Sequence, residues 1–237
     1  MSAPGRKVFN QYRAPDVVRG DASQASPWCD HIRAVYPDEA DHIIKWFAHR
    51  IQNPGDKINH AIVLGGPPGV GKDSMIEPVK YAVGGWNFAE ISRNSFWAAS
   101  MGSSKASSFA YPKRATSATS IAMHSMTQAR FTWAAPPNVL RCDEKHLREY
   151  AVANVCGVLI TTNYKSGGLY LAPDDRRHFV AWSDRVKEDF NEGYWTRLWQ
   201  WYDAGAGLMS RRFLPNWTCR LSTRRRRHLR RRHFGRS

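Results

Sequence analysis

Nine consecutive residues could do chemistry by their order alone: Gly66-Pro67-Pro68-Gly69-Val70-Gly71-Lys72-Asp73-Ser74. The glycines let successive backbone N–H groups turn inward around the oxygens of a phosphate. Lys72 then supplies a mobile positive charge for the outer phosphates of a nucleotide. An apolar run, Ala61-Ile62-Val63-Leu64, leads into the loop, and a helical pattern over Met75–Val83 follows it. The start of that helix adds the positive end of its dipole. Strand, glycine loop and helix in this order are the context that a phosphate-binding P-loop needs. After the lysine such loops usually carry Ser or Thr, whose hydroxyl binds Mg²⁺. Here Asp73 stands there, with Ser74 next. Asp73 can hold the ion directly or through water, since this hard cation accepts carboxylates. Ser74 can do so after a small shift, and the sequence leaves both open.

Two further places carry candidate groups. Asn163 follows the apolar run Val155–Ile160 and Thr161-Thr162. In an open α/β sheet that edge of a strand faces the ligand crevice, where an amide can orient water or touch a γ-phosphate. Otherwise Asn163 caps a turn. Asp174-Asp175-Arg176-Arg177 precedes a strand pattern at His178–Trp182. One of the two arginines could reach a neighbouring subunit's nucleotide and steady transition-state charge; the bland reading is a surface ion-pair cluster. Trp195, Leu198, Trp199 and Tyr202 form a helical stripe closed by Gly205, read as core packing in preference to a base-stacking surface.

The elements that must position these residues alternate between strand and helix, which predicts an α/β fold with a P-loop core. Residues 1–26 are polar and read as a linker or truncated edge. Residues 27–58 form a helical lead-in. Ser26 is expected to cap its first helix and Pro27 to occupy the first turn. A second helix, about Asp38 to Gln52, shows Ala40, Ile43, Ile44, Phe47, Ala48 and Ile51 on one face. A strand is expected over Trp86–Ile91. The ATPase domain spans 59–205, and 206–237 is an arginine-rich, disordered tail. The net charge of +15 comes mostly from that tail: 210–237 holds eleven arginines and no acid, and without them 24 basic residues face 20 acidic ones. The body's charge therefore says little about its partners. Four well-separated cysteines form no C-x-x-C pair, which argues against zinc or a disulfide framework. No apolar run nears the roughly 20 residues of a membrane span, and Met1–Gln11 does not read as a secretory signal. A cytoplasmic protein without membrane partners is the expectation.

Together these runs resemble the superfamily 3 helicase domain of phage and prophage primase-helicase proteins, the poxvirus primase-helicase-like group. The resemblance rests on FNQYR (9–13), the stretch 42–92 with its GKDS, the stretch 134–184 with ITTN and DDRRHF, and YWTRLWQWYDAG (194–205). It covers more than half the chain, and a lysine-aspartate-serine order is usual in the group. It implies an AAA+-like α/β ATPase that uses ATP and Mg²⁺, assembles in homo-oligomeric rings, and moves on single-stranded or forked DNA. By resemblance Asn163 matches the sensor asparagine, and Arg176 or Arg177 the arginine finger.

One implied part is missing. Such an ATPase needs a second acidic site, the Walker B carboxylate, at the end of a strand beside the P-loop strand. Ile91 to Cys142 contains no Asp or Glu in 52 residues and shows no sustained period of 2 or 3.6. Asp143 and Glu144 lie close by, with no apolar strand expected to lead into them. The segment 93–133 is therefore anomalous. Two segments, about Phe96–Phe131 and from about Gly205 onward, read as out of the ancestral frame. Trp97–Ser104 can be written TGG GCC GCT TCA ATG GGT TCC TCA. Read one base earlier, on a C, it gives Leu-Gly-Arg-Phe-Asn-Gly-Phe-Leu, as family members carry. The same shift through Tyr111-Pro112-Lys113-Arg114 permits an apolar strand and Ser-Glu-Ala-Arg, with the glutamate across the Pro112 and Lys113 codons. Three readings follow: an ATP-driven DNA helicase domain of a mobile element, a remnant that binds ATP without hydrolysing it, and a basic nucleic-acid-binding protein acting through its tail. A small-molecule kinase fits the loop but not the ITTN and DDRRHF runs.

Overall fold

The computed structural model describes residues 25–92, 109–113, 138–142, 150–165 and 175–206. Helix α1 spans Ser26–Val35 with Pro27 in its first turn. Its N-cap is Ala25 and no side chain caps it, so the capping role expected for Ser26 falls away. Ser26 already lies inside the first turn, and the fixed φ of Pro27 sets the entry. Helix α2, Ala40–Gln52, buries Ile43, Ile44, Phe47, Ala48 and Ile51, the face its spacing predicted.

Arg50, near the end of α2, is fully buried. Its guanidinium donates to the carbonyls of Asp56 at 2.7 Å, Val155 at 2.8 Å and Asn53 at 3.1 Å, and to that of Pro54. Several acceptors make a buried charge tolerable. They also tie the end of α2 to a segment more than a hundred residues away. With its carbonyl committed to Arg50, Val155 stays out of the sheet, and the strand expected from Val155 begins at Gly157.

Strand β1 (Ala61–Gly65) lies between β6 (Gly157–Thr162) and β7 (His178–Trp182), parallel to both. Helix α3 is Glu77–Val83; it starts two residues later than its pattern suggested because the loop continues in turns through Ile76. A 3-10 turn, Gly85–Asn87, then leads into β2, Phe88–Ser92, so the second strand also starts two residues late. The five parallel strands stand in the order β2-β3-β6-β1-β7, where β3 is Phe109–Lys113. The anomalous segment thus holds a strand that its sequence did not announce.

A second correction concerns Val139–Cys142. This run is strand β4, paired antiparallel with β5 (Tyr150–Ala153) in a separate two-stranded sheet. An extended strand therefore does lead towards Asp143 and Glu144, contrary to expectation, although it is not part of the parallel sheet. Asp143 and Glu144 lie outside the described residues, as do the linker before residue 25 and the tail after residue 206.

The alternation of side chains along β1 and β6 divides the apolar residues between two faces. Ile62, Leu64 and Leu159 join α1, α2 and α3 in the main core. Ala61, Val63, Val158 and Ile160 form a smaller cluster with Val180. Helix α4, Glu192–Trp201, follows β7 and continues into a π turn at Tyr202–Ala206. Among the described residues no helix is long and apolar enough to cross a membrane.

Candidate nucleotide site

The register of the sheet sets what meets at its carboxyl edge. Gly65 stands opposite Thr162 on one side and Trp182 on the other. The loop Gly66–Ser74 therefore rises where β6 delivers Thr161, Thr162 and Asn163. A cleft of about 630 Å³ is lined by Pro68, Gly69, Gly71, Lys72, Asp73 and Ser74 from the loop, by those three residues of β6 and its exit, and by Trp195.

Gly69 and Gly71 have φ of 84° and 86°, the left-handed region where a side chain is strained. At Gly71 there is also no room: a Cβ would come within 2.6 Å of the His31 ring and 2.7 Å of Trp195. Lys72 is buried, and its ammonium donates to the carbonyls of Gly66 and Pro67 at 2.7 Å each. That folds the lysine across the loop and fixes a positive charge at its mouth. Ser74 is buried and Asp73 exposed; both line the cleft, and both remain candidates for the Mg²⁺ ligand.

The outer side of the loop is held by aromatic side chains from α1, α4 and the residues beside them. The Trp28 indole donates to the Met75 carbonyl at 2.9 Å, the Tyr36 hydroxyl to Gly65 at 3.0 Å, and the Tyr202 hydroxyl to Ser74. His31 Nε2 lies 3.1 Å from the Gly71 carbonyl, and its Nδ1 2.6 Å from the Tyr194 hydroxyl. A carbonyl only accepts, so Nε2 carries the proton and Nδ1 accepts from the phenol. Burial lowers the His31 pKa, against a raising bond to Gly71, and favours this neutral form. Burial likewise raises the Tyr194 and Tyr202 phenols, keeping both protonated as donors.

Sequence reasoning missed this clamp. Its only trace was the density of aromatic residues in α1 and α4. The stripe it read as core divides three ways. Leu198 is buried, Trp199 is 45% exposed, and Tyr202 and Trp195 turn to the loop.

The expected site residues do not all converge. The loop residues and Asn163 share the cleft. Arg176 and Arg177 are exposed and stand at the opposite end of β7, where the Arg177 carbonyl accepts from Ala61 N at 2.8 Å. Neither pairs with a carboxylate among the described residues. Asp175 instead accepts from the His178 ring at 3.0 Å and from the amides of Arg177 and His178. Burial alone would raise the Asp175 carboxyl; these bonds hold it below its usual range.

The strands beside β1 are β6 and β7; neither contains a carboxylate, and the nearest, Asp184 just past β7, accepts from the Trp182 indole at 3.1 Å and is exposed. The strand filling the anomalous segment, β3, lies one position further out. It pairs with β2 through Ile91↔Pro112 and Ser92↔Lys113, but its pairing with β6 stops at Ala110↔Val158. Pro112 has no amide proton to donate, and proline is rarely tolerated inside a sheet.

This combination defines a parallel α/β domain with a glycine loop at the carboxyl edge of a central strand. Its fold is shared with the C-terminal region of NrS-1 (residues 305–718). An apo structure of that region superposes with a TM-score of 0.65 at 14% identity, covering 89% of this chain and 52% of that one. Its A form gives 0.64 at 14% identity, covering 90% and 51%. The chain thus spans about half the length of those structures. A JCV helicase superposes at a TM-score of 0.49 and 10% identity over 82% of this chain and 54% of that one, a likeness too slight to argue from. No protein-family model and no curated protein matches the chain.

Proposed function

We propose that this chain is the ATP-binding domain of a DNA helicase of the phage and prophage primase-helicase kind. The observation that carries the reading is the loop itself: left-handed glycines, a buried Lys72, and Asn163 across the cleft. The loop amides and Lys72 would take the β- and γ-phosphates. Asp73 or Ser74 would hold Mg²⁺, which neutralises charge developing on the phosphates. Asn163 would orient water at the γ-phosphate. Arg176 or Arg177, distant from this chain's own cleft, would serve a neighbouring subunit in a ring on single-stranded or forked DNA. Replacing Lys72 with Ala should weaken Mg²⁺–ATP binding roughly a hundredfold, the scale of a lost charge-assisted phosphate contact. Calorimetry showing equal affinity in both proteins would sink the assignment.

A second reading is favoured by β3: the domain binds ATP and hydrolyses it very slowly. The strand is in place in the sheet, yet it ends in Tyr111-Pro112-Lys113 and carries no acid. A proline there is what a strand position filled by out-of-frame residues would show. Without a second carboxylate, nothing in this segment helps hold Mg²⁺ or polarises the attacking water. The gene's nucleotide sequence decides the frame. A one-base-earlier reading interrupted by stops, or lacking a Ser-Glu-Ala-Arg run, removes the idea.

A further inference from the structure

The cleft has one feature that phosphate chemistry leaves unexplained. Among the described residues lining it, Trp195 is the single aromatic one. Its ring tip would sit 2.7 Å from a Cβ on Gly71, so it touches the loop where phosphates would be cradled. The ring is held by three aromatic neighbours. His31 meets it at 71° with centroids 5.7 Å apart, Tyr194 at 89° and 5.5 Å, and Phe190 at 55° and 5.7 Å. None of these neighbours lies parallel to the indole. Three non-parallel partners fix the orientation of a ring without stacking flat on it. The remaining cleft residues are those of the phosphate loop and the Thr161–Asn163 edge, whose roles lie at the phosphate end.

We infer that Trp195 is the base-recognition residue of this cleft, and that the site takes nucleoside triphosphates by stacking the base on the indole, favouring purines and discriminating poorly among them. The inference rests on the phosphate-loop reading above and adds the base to it. A π-face has no donor–acceptor pattern, so stacking is tolerant of base identity and strengthens with ring area. Such a contact changes affinity by roughly five- to a hundredfold for one base. The braced ring loses little freedom on binding, which lets most of that effect appear as affinity.

The test is a set of calorimetric titrations of the full chain with Mg²⁺ and ATP, GTP, CTP, UTP or inorganic tripolyphosphate. ATP and GTP should bind within about threefold of each other, the pyrimidine nucleotides more weakly, and tripolyphosphate at least about tenfold more weakly than ATP. Trp195→Ala should lower ATP affinity about tenfold or more and leave tripolyphosphate affinity within twofold. Trp195→Phe should keep most of the ATP affinity. ATP and tripolyphosphate binding equally to the unaltered chain would overturn the inference, even if the alanine variant fails to fold. So would an equal loss for both ligands in a folded Trp195→Ala, which would make the ring a prop for the loop only. These outcomes leave the phosphate site standing. Failure of that site reads differently: Lys72→Ala would then change neither ligand.

Discussion

The two halves of the parallel sheet are built unequally. Around β1, β6 and β7 the glycine loop is tied down by its neighbours. Four side chains bond the backbone of the loop and its flanks, Arg50 binds four carbonyls at the amino-terminal approach to β1 and β6, and β1 is buried from end to end. Around β3 the sheet continues in outline, but its pairing with β6 lapses after two residues and its sequence lacks acid. A loop that cradles phosphate needs backbone geometry and one lysine. A site that cleaves phosphate also needs a carboxylate placed by a different strand. The two requirements are separable, and on the second reading proposed above this chain would meet only the first.

The largest test of that contrast restores the missing part. Shifting the reading of codons 96–131 by one base should raise ATP turnover by about 10²- to 10⁴-fold, the usual range for a positioned catalytic acid–base group, with ATP affinity changed little. A steady-state assay with single-stranded DNA measures it. Robust turnover by the unaltered chain would erase the distinction between the halves. Next in size, Arg50→Ala removes the donor shared by four carbonyls and opens a cavity where the buried side chain stood, so it should cost about 3 kcal/mol of stability. Denaturant unfolding would show this as a lower midpoint at an unchanged slope.

A smaller effect follows from the histidines of the well-built half. Burial is the leading cause that lowers the pKa of His31, His42, His49, His60 and His178, and it brings His60 down to about 4. Above pH 6.5 folded and unfolded chains are both neutral at these rings, so they add no pH dependence. As pH falls below 6.5 the unfolded chain takes up protons first, and stability falls towards pH 4. Thermal melts should be flat from pH 7 to 8 and decline from pH 6.5 to 4.5. A melting temperature that rises in this window would contradict the neutral, bonded His31. Smallest of all should be the effect of the tail on the binding half. Deleting 210–237 should leave ATP affinity within about twofold. It should flatten the salt dependence of DNA binding, since each phosphate contact contributes roughly 0.7 to 0.9 to that slope.

The same asymmetry governs what could be read in the sequence. Strands β1 and β7, the α2 face and the loop were legible because local pattern and tertiary role coincide there. An apolar run that ends in glycines has few other uses. The start of β6 was misplaced because a side chain from α2 takes the Val155 carbonyl, a contact no local window contains. Strands β3 and β4 were missed because Pro112 and Arg141 interrupt the expected patterns, and their extension is imposed by neighbouring strands. The aromatic clamp was hidden for a different reason. Trp28, His31, Tyr36 and Tyr202 look like core residues by composition, and only their polar atoms, aimed at loop carbonyls, distinguish them.

The clamp also sets an order of events in time. Ser74 and the Tyr202 hydroxyl that bonds its carbonyl are 128 residues apart. At a synthesis rate of about 5–20 residues per second, the glycine loop emerges roughly 6 to 25 s before its last support. His31 and Trp28 precede the loop and can meet it at once, whereas Tyr194 and Tyr202 come last. A nascent chain halted before α4 would thus carry β1, the lysine and three of the four supports, with the Ser74 carbonyl and the His31 ring still waiting for Tyr202 and Tyr194.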